Sequence, residues 1–184
     1  MSKAIKITLK KAEDNYDVTA SKLFGAPVLP LKWKDRFDDD VIFFGQIRLS
    51  DIEQLDKENR LPHTGYLYFF IDTEVYPYTA IVDHYDGEVN LVIDDFNEFV
   101  PEYAHLNQAF LMSFEETEED YYGSKLLGVP CPQSELDDGR KVLLQFDPLD
   151  VATGFLEEVD GYAYFFFGED DAKFENAMFE IIRS

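Results

Sequence analysis

Two short stretches carry large apolar side chains at successive positions: GYLYFFI (65–71) and GYAYFFF (161–167). A strand with one wet face alternates apolar and polar residues, whereas a strand buried on both faces leaves no position for water. Both stretches therefore read as central strands covered on both sides. That excludes a flat sheet open to solvent and leaves a sheet that curls or layers on itself, as in a roll, barrel or sandwich.

The rest of the chain supplies further strands and little helix. AIKITL (4–9), VIFFGQI (41–47), YTAIVDHY (78–85), NQAFLMSFEE, KVLLQF and NAMFEII are short and rich in β-branched and aromatic residues. Asp86-Gly87, between YTAIVDHY and EVNLVID, predicts a two-residue hairpin. LSDIEQLDKE (49–58) predicts a short helix, with Leu49, Ile52 and Leu55 three apart and a Ser50/Glu53 capping box. A second helical segment in DDFNEFVPEYAHL is interrupted at Pro101, and a turn of helix is expected within EDDAKFENAM. The 184 residues form one domain, 1–184, large enough to bury roughly 70% of its extended surface. The expected fold is mainly β with a few short helices, a roll- or barrel-like sheet built from two duplicated halves.

The duplication is read from blocks that recur in order. SKLFGAP (21–27) returns as SKLLGVP (124–130), the strand with Gln46 as the strand with Gln145, and GYLYFFI as GYAYFFF. The offsets drift from 103 (124 − 21) through 99 (145 − 46) to 96 (161 − 65), as loops of different length would cause. The halves span about 18–93 and 121–184, with an acidic connection at 94–120. Gly25 and Gly128 suit positive φ or close backbone approach, and Pro27 and Pro130 hold the following segment extended. Leu23 and Leu126 read as core anchors. Ser21, Lys22, Ser124 and Lys125 can satisfy turn backbone groups or a neighbouring carboxylate. A structural seam is preferred over a ligand loop, because Gly/Pro loops are usually turn chemistry.

This ordered set, SKLFGAPVLP, the Gln46 strand, GYLYFF, SKLLGVP, LLQFDPLDV and GYAYFFF, resembles the YwqG-like proteins of bacteria, a family of unknown function. The resemblance spans roughly 21–184 and implies a mainly β, roll-like fold with internal duplication and no established activity. Members commonly have Gly-Gly where this chain has Phe24-Gly25 and Leu127-Gly128. They often carry Trp-Gly-Asp where this chain reads Glu158-Val159-Asp160-Gly161.

Charge narrows the function classes. With 38 acidic and 16 basic side chains the formal net charge is −22, which repels phosphate backbones and anionic lipids. Nucleic-acid and membrane-surface partners are disfavoured; a basic protein partner is favoured. The candidate contact residues are Asp38, Asp39, Asp40 and Glu115, Glu116, Glu118, Glu119, Asp120, the latter within a stretch from Asp94 to Asp120 that has no Lys or Arg. Solubility alone is the plainer explanation of such runs. Basic charge gathers instead at Lys3, Lys6, Lys10 and Lys11. Cys131 is the single cysteine, no signal-like or membrane-length apolar run occurs, and a reducing cytoplasmic location is expected.

Chemistry finds little footing. Ser124 lacks a G-x-S-x-G elbow, Cys131 lies between two prolines, and His63, His84 and His105 share no motif. No zinc pattern, calcium loop or phosphate loop is present, so no cofactor or metal is assigned. The expected function is therefore binding: contact with a basic protein, immunity-like neutralisation being one form. The alternatives are a small-ligand or carbohydrate site in a groove between the halves, and a hydrolase using carboxylates joined by folding.

Overall fold

The computed structural model describes residues 3–131, 139–151, 161–168 and 174–183. Twelve strands run in chain order: β1 (Lys3–Lys11), β2 (Lys22–Leu23), β3 (Val28–Leu29), β4 (Val41–Arg48), β5 (Tyr66–Asp72), β6 (Thr79–Tyr85), β7 (Leu91–Val92), β8 (Phe110–Glu118), β9 (Lys125–Leu126), β10 (Val142–Phe146), β11 (Gly161–Phe166) and β12 (Met178–Arg183). Ten of them form one antiparallel sheet in the order β12-β11-β10-β9-β1-β8-β2-β4-β5-β6. The end strands β6 and β12 approach each other, so the sheet is a nearly closed barrel. β3 and β7 pair as a separate ribbon, Val28 opposite Val92. Among the described residues no helix is long and apolar enough to cross a membrane.

GYLYFFI and GYAYFFF lie inside the sheet, β5 between β4 and β6 and β11 between β10 and β12. One face of each points into the barrel. Phe44, Phe69, Phe146 and Phe165 meet there edge-on, with ring centroids 5.1–5.4 Å apart, a geometry that favours the ring quadrupoles. The other face of β5, Tyr66, Tyr68 and Phe70, is covered by Leu29, Phe96, Trp33 and Phe37. The outer face of β11 packs Tyr164 and Phe166 against Val142. The double burial required by successive apolar residues is thus met by a barrel interior and an outer cover. Register breaks between Phe43 and Gly45 in β4 and between Val142 and Leu144 in β10 add the local bend that curls the sheet.

Two local expectations are corrected. The chain at 49–58 makes a 3-10 turn at Leu49–Asp51 followed by further turns, without a capping box. A spacing of three fits the 3-10 period, and it buries Leu49 and Ile52. Asp86-Gly87 does not close a hairpin, since β7 pairs with β3 rather than β6. Leu91 instead joins the cover over Tyr68 and Phe70. Within the acidic connection, Glu115, Glu116 and Glu118 lie on β8 opposite β1. The interruption at Pro101 is seen as two 3-10 stretches, Phe96–Phe99 and Pro101–Asn107. Residues 158–160 and the first half of EDDAKFENAM, 169–173, lie outside the described residues.

Phe69, Phe70, Phe165 and Phe166 are all at most 1% exposed. Truncating any one to Ala should cost ~3–5 kcal/mol. Urea unfolding of the four variants checks this, and shifts near zero for all of them would contradict the two-layer burial.

Candidate functional site

The two Ser-Lys loops are built alike. Ser21 Oγ donates to Asp51 (2.8 Å) and accepts from Arg48 N (2.9 Å). Ser124 Oγ donates to Asp150 (2.6 Å) and accepts from Asp147 N (3.0 Å). Gln46 Oε1 accepts from Val28 N (3.0 Å) while its Nε2 donates to the Ala20 (3.0 Å) and Val18 (3.1 Å) carbonyls. Gln145 Oε1 accepts from Cys131 N (3.1 Å) while its Nε2 donates to the Gly123 carbonyl (2.9 Å). Lys22 Nζ donates to the Val18 carbonyl (2.7 Å) and Lys125 Nζ to the Glu119 carbonyl (2.8 Å). Ser21, Lys22, Gln46, Ser124, Lys125 and Gln145 are buried, with their polar atoms turned inward. They satisfy backbone; they do not offer a ligand surface.

The turns that follow are strained in one respect. Phe24 (φ 54) and Leu127 (φ 65) precede Gly25 (φ 75) and Gly128 (φ 89). A Cβ on Gly25 would meet Ala109 Cβ at 2.6 Å, and one on Gly128 would meet the Glu119 carbonyl at 2.5 Å. Glycine is thus required twice over at the second position. At the first position a left-handed conformation costs a side chain roughly 1–2 kcal/mol, yet Phe24 and Leu127 sink fully into the core.

The two acidic runs have different fates. Glu115 pairs with Lys6 (2.6 Å), Glu118 with Lys3 and Glu116 with Lys57. The lysine-rich start of the chain and the lysine-free stretch are therefore cross-strand partners in one ladder. The hydrogen bonds to their carboxylate partners raise the pKa of Lys3 and Lys6, and the Lys57 hydrogen bond holds Glu116 below the usual carboxylate range. Glu119 uses its carbonyl to hold Lys125 and Val129 N. Asp120 is exposed in the following turn.

Asp38, Asp39 and Asp40 enter β4, where the Asp40 carbonyl accepts from Thr73 N (3.0 Å). Asp38 and Asp39 rim a cavity of about 260 Å³ whose walls are Phe37, Val41, Leu91, Ile93, Phe96 and Phe99. Asp35, Asp95 and Lys34 complete the rim. All four aspartates are exposed, and among the described residues none forms an ion pair or side-chain hydrogen bond. A larger depression, about 520 Å³, is edged by Lys10, Lys11, Glu13 and Asp14, whose mixed signs select no ligand.

Sequence reasoning missed Asp35, Asp95 and the aromatic walls. The available signal was the interleaving of acids and phenylalanines in KDRFDDD (34–40) and DDFNEF (94–99). Those two segments meet through contacts distant in sequence, Phe37 against Phe96 and the Asn97 side chain on the Phe43 backbone.

Other polar clusters have structural partners. His63 meets the fully buried Asp56 at 3.1 Å, and Asp56 also accepts from Arg60 N and Leu61 N. Asp147 is raised by burial, with Asp150 adding to the effect. Yet it caps the Pro148–Asp150 turn by accepting from Leu149 N, and it borders neither of these cavities. Among the described residues no group of three or more His, Cys, Asp or Glu could hold a metal ion. In comparison with known proteins, no family model matches the chain and no curated protein matches its sequence.

Two outcomes follow for the seams. Burial pushes Lys22 and Lys125 down to about 8. Below about 8 both states hold the proton and the cost of burying a charge is felt in full. Between about 8 and 10.5 the unfolded chain binds more protons, so these lysines add stability as pH rises. The wild type should therefore gain stability relative to Lys22→Met as pH climbs through that window; a pH-independent difference in urea midpoints would contradict it. Phe24→Gly removes left-handed strain of about 1–2 kcal/mol but forfeits ~3–5 kcal/mol of packing. It should unfold at lower urea than the wild type, and a gain in stability would show that strain outweighs packing.

Proposed function

We propose that this chain is a non-catalytic cytoplasmic binding protein that contacts a basic protein through the acid-rimmed cavity. The observation that carries the proposal is the division of charge. The β8 glutamates are matched by Lys3, Lys6 and Lys57, whereas Asp35, Asp38, Asp39 and Asp95 remain unmatched around an apolar floor. Immunity-like neutralisation is one form such contact can take.

We also propose that the halves are copies of one unit of the YwqG-like kind. The equivalent seam contacts of Ser21/Ser124 and Gln46/Gln145 support it, as does a strand order that mirrors about the β1–β8 pair.

The test is binding of an arginine- and lysine-rich polypeptide across ionic strength, using an Asp38→Asn/Asp39→Asn variant and a Glu115→Gln/Glu118→Gln variant. Binding should weaken as salt rises toward ~1 M, where the screening length falls to ~3 Å. It should weaken far more in the aspartate variant than in the glutamate variant. Equal losses in the two variants would refute the cavity as the contact.

A further inference from the structure

Resting on that reading, we infer that the cavity is the receptor for a single arginine side chain of the basic partner. Its size argues for a side chain: about 260 Å³ falls below the ~300–1,000 Å³ of typical small-molecule sites. Its lining argues for an amphipathic cation. An apolar occupant would strip water from four carboxylates without compensation, and a bare metal ion would find no cluster of ligands among the described residues. A side chain with a methylene stem and a charged tip satisfies both walls and rim.

Arginine suits this site better than lysine. Phe99 is 55% exposed at the cavity wall, and among the described residues its ring has no aromatic or cationic neighbour. A guanidinium can lie flat on that ring while its fork of donors reaches the rim carboxylates, whereas an ammonium is more strongly hydrated and is a point charge. The same turn already contains such an arrangement. The Arg36 guanidinium sits 4.4 Å from the Trp33 ring and 5.0 Å from the Phe37 ring, and pairs with Asp83 at 2.6 Å. Arg36 is thereby committed elsewhere. Lys34 is the one basic group on the rim, and it opposes entry of a cation.

The experiment uses the full chain and three blocked pentapeptides of alanine with a central arginine, lysine or citrulline, followed by NMR titration. The arginine peptide should shift the resonances of Phe37, Leu91, Ile93 and Phe99. The lysine peptide should bind more weakly, and the citrulline peptide, which keeps the shape without the charge, should not bind measurably. Phe99→Ala should weaken the arginine peptide by roughly two- to fivefold, bringing it to the level of lysine. Lys34→Ala should strengthen it. Phe99 and Lys34 are exposed, so neither variant threatens the fold; Asp39→Asn supplies a charge-only counterpart that should weaken both cationic peptides.

Equal binding of arginine and lysine peptides, unchanged by Phe99→Ala, would overturn the arginine receptor while leaving a general basic contact standing. Shifts confined to another part of the surface would overturn the receptor too. Retained binding of polycation by Asp38→Asn/Asp39→Asn would refute the broader proposal, which separates the two failures.

Discussion

The ten-stranded sheet is continuous only because of two strands of two residues each. β2 joins β8 to β4, and β9 joins β1 to β10. Ladders this short supply few hydrogen bonds, so something else must fix their place. Buried side chains do so. Ser21 and Ser124 are locked by Asp51 and Asp150, and Gln46 and Gln145 reach across to the loops on either side. Buried polar groups are costly when left unpaired and specific when fully paired. Here the pairing is close to complete, and it converts two weak strands into fixed bridges.

The bridges impose a crossed arrangement. β1 comes first in the chain yet lies against β9, while β8, which precedes β9, lies against β2. On the proposed duplication, the strand that precedes each half pairs with the short strand of the other. The halves could then not separate without opening both seams, and the aromatic cluster of Phe24, Phe44, Phe146 and Phe165 would be shared rather than divided. The positive-φ turns serve the same end. Phe24 and Leu127 accept backbone strain so that large side chains, not glycine hydrogens, fill the interior just beyond each bridge.

The parts legible in the sequence were those fixed by local pattern. Successive apolar residues in GYLYFFI and GYAYFFF could be satisfied only by covering both faces, and they are. The interrupted segment at Pro101 was equally local. What failed depended on distant partners. Leu49, Ile52 and Leu55 are three apart, a spacing that fits a 3-10 turn as well as an α-helix, and packing under the barrel decided between them. Asp86-Gly87 has hairpin chemistry, but the apolar outer face of β5 needed a cover and drew β7 to β3. Glu115, Glu116 and Glu118 looked like a solvated run because their lysine partners lie far away in the chain, at Lys6 and Lys3 on β1 and at Lys57. The cavity was hidden for the same reason, since 34–41 and 91–99 are distant in the chain and meet only in the fold, where Phe37 packs edge-on against Phe96.

A net charge of −22 overstates what any partner could feel at close range. At physiological ionic strength exposed charges are largely screened beyond ~8 Å. Approach can be steered by the whole surface, but affinity must come from charges that are both near and unmatched. On β8 the glutamates are matched by Lys3, Lys6 and Lys57, so a partner docking there would first have to break those pairs. Around Phe99 no such pairs exist among the described residues, and the apolar walls lower the local dielectric without burying the carboxylates. A cation entering there gains attraction that bulk water would otherwise weaken, while its stem covers aromatic surface. The same cavity is unsuited to an anion, because four carboxylates would face it with a single lysine to offset them. Location of charge relative to apolar surface, rather than its total, is what confines a strongly acidic protein to a specific contact.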